Sequence, residues 1–249
     1  EQYSLSVKWE KYNGKYDEQS IDAKVISAYE AYCDKYEYLW IIRDRMAVNF
    51  NECAIALLAA MKKKNDMIIV QNRCDDYHHV GNKKYDDCIK LYKELFVSMT
   101  VLGTTIVKGE FIKSVMQTVP LDKIKNYCLW QPTAFFVFIA NRFFKAEVIT
   151  AASVFQYHES ALLGSFWKRK LLYQWVERFH AILENLPTEY LSEHYAVINE
   201  WEDRYCILKV GHLLDARSGG NLSLKDVEQY RELIPCMTST PIAYFERIA

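Results

Sequence analysis

Glycine and proline are scarce: the 249 residues hold 8 Gly and 5 Pro. An all-β fold needs frequent turns, so this scarcity argues against one. Long apolar runs are also missing. Runs such as Ala134–Ala140 fall far short of the ~20 residues that cross a bilayer. Nor is there an excess of one charge. The 31 Lys and Arg stand against 32 Asp and Glu, a net charge of −1, which leaves no basic field to hold nucleic acid. The short basic runs at 62–64 and 168–170 read as solvated helix faces. The cysteines number seven, an odd count, and no two form C-x-x-C. A disulfide framework and a structural zinc site are therefore not expected, and a reducing, cytoplasmic setting is. Glu1–Gly14 is polar and aromatic, unlike a signal peptide. G-x-S-x-G, Walker, H-E-x-x-H and dinucleotide glycine patterns are all lacking. No catalytic residue and no cofactor is assigned.

What the chain has is aromatic bulk, with 18 Tyr, 12 Phe and 6 Trp, enough to build a sizeable core. Apolar residues recur at helical spacing over Ile21–Arg45, through Ile21, Val25, Tyr29, Tyr32, Tyr36, Leu39 and Ile42. Asn51–Lys64, Lys83–Phe96, Lys108–Val119, Thr133–Tyr157 and Ala161–Leu186 also read as helical. Met67–Val70 reads as strand or helix, and Asn72–Asn82 as a polar loop. Thr188 is placed as the N-cap of a helix running to about Leu214, and Thr240-Pro241 as the start of a last one. The fold class expected is mainly α: an N-terminal helical region, 1–120, and a C-terminal helical region, 121–249, divided near Pro120–Pro132.

One stretch carries the sharpest motif. From His212 to Glu228 the sequence reads as helix, twelve-residue loop, helix, with Asp215 at loop position 1, Gly220 at 6, Leu222 at 8, Ser223 at 9 and Asp226 at 12. That is the frame of a calcium loop. The ligands are degenerate: Arg217 brings a positive charge to position 3, and Gly219 has no side chain at position 5. Asp215, Ser223 and Asp226 are the candidate metal ligands, and loss of calcium binding is the expectation. A fainter trace lies at Leu95–Phe111, with Ile106 at position 8 and Glu110 at 12 if Met99 is position 1.

With Leu222-Ser-Leu-Lys-Asp226, Tyr230 and Tyr244-Phe-Glu-Arg-Ile248, the segment 207–248 resembles the hand of the B″-type, EF-hand regulatory subunits of protein phosphatase 2A. Leu95–Phe111 is similar to that family's first hand, and Asn141–Ile149 to a middle hand with a shortened loop. The resemblance implies degenerate helix–loop–helix units at 90–118 and 205–232, with Val148-Ile149 as the extended partner of Ile106. It also implies docking on the phosphatase scaffold and catalytic subunits.

Two weaker patterns remain. Arg73 and His78 match the R-x4-H spacing of some helical ribonucleases, though Asp75 and Asp76 oppose phosphate there. Glu177 and His180 make an E-x-x-H pair, but a di-iron site needs a second one. The leading expectation is a non-enzymatic, protein-binding regulatory or scaffolding protein. The alternatives are the ribonuclease-type enzyme and a generic helical adaptor.

Overall fold

The computed structural model describes residues 20–42, 46–48, 50–72, 81–119, 138, 145–156 and 170–249. Its centre is a six-stranded mixed sheet, which corrects the mainly α, EF-hand-like expectation. The strands are β1 (Tyr38–Trp40), β2 (Met46–Val48), β3 (Met67–Asn72), β4 (Lys83–Tyr85), β5 (Thr105–Lys108) and β6 (Ala146–Gln156). Their order is β1-β5-β3-β6-β2, with β4 also on β6. β5 is antiparallel to both β1 and β3, while β3 and β6 are parallel. β1, β3 and β6 therefore point the same way and end at one edge of the sheet.

β-branched residues build the central strands: Ile68, Ile69 and Val70 in β3, Thr105, Ile106 and Val107 in β5. Side chains alternate between faces. Met67, Ile69, Val107, Ala146 and Val148 join the larger core with helices α1 (Ser20–Tyr32), α3 (Cys88–Met99) and α4 (Gly109–Met116). Ile68, Val70, Ile106, Ile149 and Val154 face the other way, onto Leu57 and Ala60 of α2 (Phe50–Lys62). The sheet is thus sandwiched between helices, as a sheet with a buried parallel pair requires.

The helical reading of Thr133–Tyr157 is corrected at 146–156, which is β6. Along β3 the partners step from Val70↔Ile149 to Gln71↔Ser153, so Thr150, Ala151 and Ala152 bulge out of register. That insertion breaks the two-residue alternation that identifies a strand. Two further expected helices begin or end as strands. The helix from Ile21 stops at Tyr32, and Tyr38–Trp40 is β1. Lys83–Tyr85 is β4; Asp87 then caps α3 by accepting from the amides of Ile89 at 2.8 Å and Lys90 at 3.2 Å.

Segment 90–118 is a helix, a strand and a helix rather than a calcium hand. Ile106 pairs with Ile68 on one side and Trp40 on the other. Val148 and Ile149 lie beyond β3, paired with Ile69 and Val70, and are not its partners.

The C-terminal part is helical. A π-helical stretch, Tyr173–Arg178, leads into α5 (Phe179–Glu184). A 3-10 turn at Thr188–Tyr190 then precedes α6 (Leu191–Tyr205), with Pro187 rather than Thr188 at its start. The chain turns through a left-handed Cys206, φ 52°, into α7 (Val210–Ser218). α8 (Leu224–Gln229), α9 (Ile234–Met237) and α10 (Ile242–Ile248) follow, the last directly after Pro241. Glu202 of α6 clamps this end. Its buried carboxylate accepts from the Thr238 hydroxyl, from the Ser239 amide at 3.1 Å and from Lys209 at 3.1 Å.

Candidate functional site at the carboxyl edge of the sheet

At the edge where β1, β3 and β6 end, several described segments converge. The Trp40 indole N–H donates to the carbonyl of Gly103 at 2.8 Å, tying β1 to the turn that opens β5. Gly103 sits at φ +95°, a region open to glycine, and a Cβ there would lie 3.4 Å from Sδ of Met46. The Thr104 hydroxyl donates to Val101 at 2.7 Å, while its carbonyl accepts from the Val70 amide at 2.8 Å. Gln71, half-buried, pairs with buried Ser153 across the step in β6. The bulge itself is pinned by Asn82, whose Oδ1 accepts from the Thr150 amide at 2.8 Å and hydroxyl at 2.9 Å. The bonds of Trp40, Gly103, Thr104 and Asn82 are made within the protein and fix the strand ends; Gln71 and Ser153 are the polar side chains held between them.

The connections matter as much as the groups. Among the described residues, the helix that follows β1 and β2 is α2, on one face, and the helix that follows β3 and β4 is α3, on the other. β1 and β3 flank the start of β5, and α2 and α3 lie on opposite faces of the sheet. In open α/β sheets ligands bind outside the carboxyl ends of the strands.

Sequence reasoning missed this edge because β1 and β6 fall inside expected helices and Met67–Val70 reads equally as strand or helix. The signal was present in the β-branched runs at 68–70 and 105–107, each only a few residues long. Arg73 and His78, the nuclease pair, lie outside the described residues. Glu177 and His180 fall in the π-helical stretch and α5. The His180 ring stands 3.9 Å from Glu184, not from a second E-x-x-H pair.

The candidate calcium ligands are placed differently from a calcium loop. α7 continues to Ser218, so Asp215 is helical, and its carbonyl accepts from Gly219 at 3.0 Å and from the Ser218 hydroxyl at 2.9 Å. Asn221 donates to Ala216 at 2.8 Å and Gly220 to Arg217 at 3.0 Å, with Gly220 at φ +69°. This is a Schellman ending, and the glycine is its left-handed residue. Ser223 and Asp226 form a capping box: Asp226 accepts from the Ser223 amide at 2.9 Å and hydroxyl at 2.5 Å. The spacing that resembles calcium ligands is thus a helix stop followed by a helix start. Leu222 between them is buried, but in helical surroundings.

A concavity of about 590 Å³ opens at the opposite edge of the sheet, between the end of α1 and α4. Of its four lysines three are paired with carboxylates, Lys64 with Glu37, Lys113 with Asp34 at 2.6 Å and Lys108 with Glu110 at 3.0 Å, and Lys35 lies over the Tyr32 ring at 5.1 Å. The pairing holds the Glu110 carboxyl below its ordinary range, by hydrogen bond and charge from Lys108. Nearer the carboxyl edge, Arg204 donates to the Ser98 hydroxyl at 2.7 Å. Four residues earlier on α6, burial pushes Glu200 up to about 7 against the pull of Arg204.

No protein-family profile and no curated protein matches the chain. Among solved structures, S. aureus TarS 1–349 is similar over 87% of this chain and 67% of that one, at 10% identity and a TM-score of 0.43. The fold and the edge described above stand on this chain's own strands. No helix among the described residues is long and apolar enough to cross a membrane.

Proposed function

We propose that this chain is an α/β ligand-binding domain of the enzyme type, taking a small polar molecule in the crevice where β1, β3 and β6 end. One observation carries the reading: among the described residues, the helices that follow β1 and β3 pack on opposite faces of the sheet whose strand ends meet near Gly103–Thr105. Crevices of that kind bind nucleotides and similar polar ligands because strand ends and turn amides converge there. The regulatory role, with phosphatase scaffold and catalytic subunits as partners, leaned on paired helix–loop–helix hands. A sheet strand stands in one and a capped helix pair in the other, so neither favours it.

The test is hydrogen exchange with a panel of nucleoside mono- and diphosphates. Protection is expected at 40–42, 71–72, 103–105 and 153–156, and a Gln71→Ala variant should lose it with an unchanged melting temperature. Protection confined to other segments, or none with any member of the panel, overturns the reading. A pull-down with phosphatase subunits separates the regulatory alternative.

A further inference from the structure

His194 stands on the first turns of α6, in the seam with α3. It is buried, and its ring centre lies 5.9 Å from that of Tyr92. Its Nε2 and the Tyr92 hydroxyl are both shielded from solvent, and among the described residues neither has a hydrogen-bond partner. A neutral imidazole tolerates this, because one of its nitrogens carries no proton. The charged ring carries a proton on both, and the buried Nε2–H then has nothing to donate to.

The groups that face the ring offer no rescue in place. From α3 come Tyr92 and Lys93, and Lys93 is paired with Glu193 at 2.8 Å. From α5 come Glu184 and His180, which stand 3.9 Å apart, so a protonated His180 competes for that carboxylate. Tyr190, buried just ahead of α6, stays neutral because burial raises its hydroxyl.

We infer that His194 is an acid-operated latch: below neutral pH its charged ring leaves the seam, and the start of α6 parts from α3 while the rest of the fold holds. Burial, against the pull of Glu184, keeps the imidazole below its ordinary range. A depressed imidazole takes its proton more readily once released. The closed seam is therefore fully stable above the ordinary value of about 6.5 and weakens as pH falls below it. That window lies above the one in which the depressed Glu202 carboxyl titrates.

The opening is local. Leu191 is 52% exposed and Tyr195 76%, so the outer side of the start of α6 faces solvent. The Lys93–Glu193 pair lies at the surface, where ion pairs hold little. The far half of α6 is fixed by buried Trp201, by the Glu202 clamp and by Arg204 on Ser98.

Backbone hydrogen exchange on the whole chain, corrected for its intrinsic pH dependence, tests this at about pH 7.5 and about pH 5.5, roughly one unit either side of the ordinary imidazole. At the lower pH the parent should lose protection over 88–97 and 191–198 and keep it over 67–70, 105–108 and 199–205. His194→Gln, neutral throughout, should keep protection in all of these at both values. Glu184→Gln, which removes the pull on the charged ring, should deepen the loss; with the parent's pattern it decides the matter even where His194→Gln does not fold. Equal protection of the parent at both values overturns the inference. So does a loss that spreads over the sheet, the same loss in His194→Gln, or a loss relieved by Glu184→Gln.

Discussion

The segments 88–116 and 210–229 share a plan, two helices and a short connector, yet they are held by different physics. In the first, the connector is β5, and its residues are fixed by distant partners: Ile68 on β3, Trp40 on β1 and the carbonyls at the end of α1. In the second, the connector is fixed by its own sequence. A Schellman ending at Gly220 and a capping box at Ser223 close it within twelve residues. Its buried Leu213, Leu222 and Val227 join the core, and nearby Glu202 holds the 238–239 turn. Local devices are worth about 1 kcal/mol each. Close approach of backbone to backbone cannot be compensated locally, so the first segment is the more fragile to a single misplaced atom.

The largest effect that separates the two is Gly109→Ala. A Cβ there would lie 2.4 Å from the Cys33 carbonyl and 2.5 Å from that of Tyr36. The variant should lose about 3 kcal/mol or more, read as a fall in the urea midpoint; a midpoint near that of the parent would break the contrast.

Next comes Glu202→Ala, which strands the Thr238 hydroxyl and the Ser239 amide. A loss of about 2–3 kcal/mol is expected. Burial alone would raise this carboxyl, but hydrogen bonds from Thr238, Ser239 and Lys209 outweigh it and hold it below its ordinary range. A depressed carboxyl contributes stability above its unfolded pKa of about 4.3, lost as pH falls through the folded value. The parent should therefore weaken more steeply than the variant below that pH, and parallel stability curves would remove Glu202 from the account.

Ser223→Ala should be milder, about 1 kcal/mol, because Asp226 keeps the amide of residue 223 as a donor. A loss as large as that of Gly109→Ala would show that the second segment is not locally held.

Smallest is calcium. With Asp215 inside α7 and Asp226 committed to the cap, titration calorimetry should show no site tighter than about millimolar. Micromolar binding at Asp215 would mean that the connector opens and refolds around the ion.

Much of the helical content was legible in advance. α2, α4 and α10 fall where apolar spacing, Pro241 and good helix formers put them. Met67–Val70, left open between strand and helix, is the middle of the sheet. The carboxyl-edge site was not legible. Its groups, Trp40, Gln71, Gly103 and Ser153, are far apart in the chain and match no motif.

By itself the sequence determined local stops and starts: the Asp87 cap, the Gly220 ending, the Ser223–Asp226 box and the apolar bulk of the core. These rest on neighbours within a few residues. Only the tertiary structure decided that Tyr38–Trp40, Lys83–Tyr85, Thr105–Lys108 and Ala146–Gln156 are strands. A strand has no hydrogen-bond partner within itself. Three or four residues such as Thr105–Lys108 become one only when others arrive alongside, and the bulge at 150–152 hides the alternation that would have announced β6.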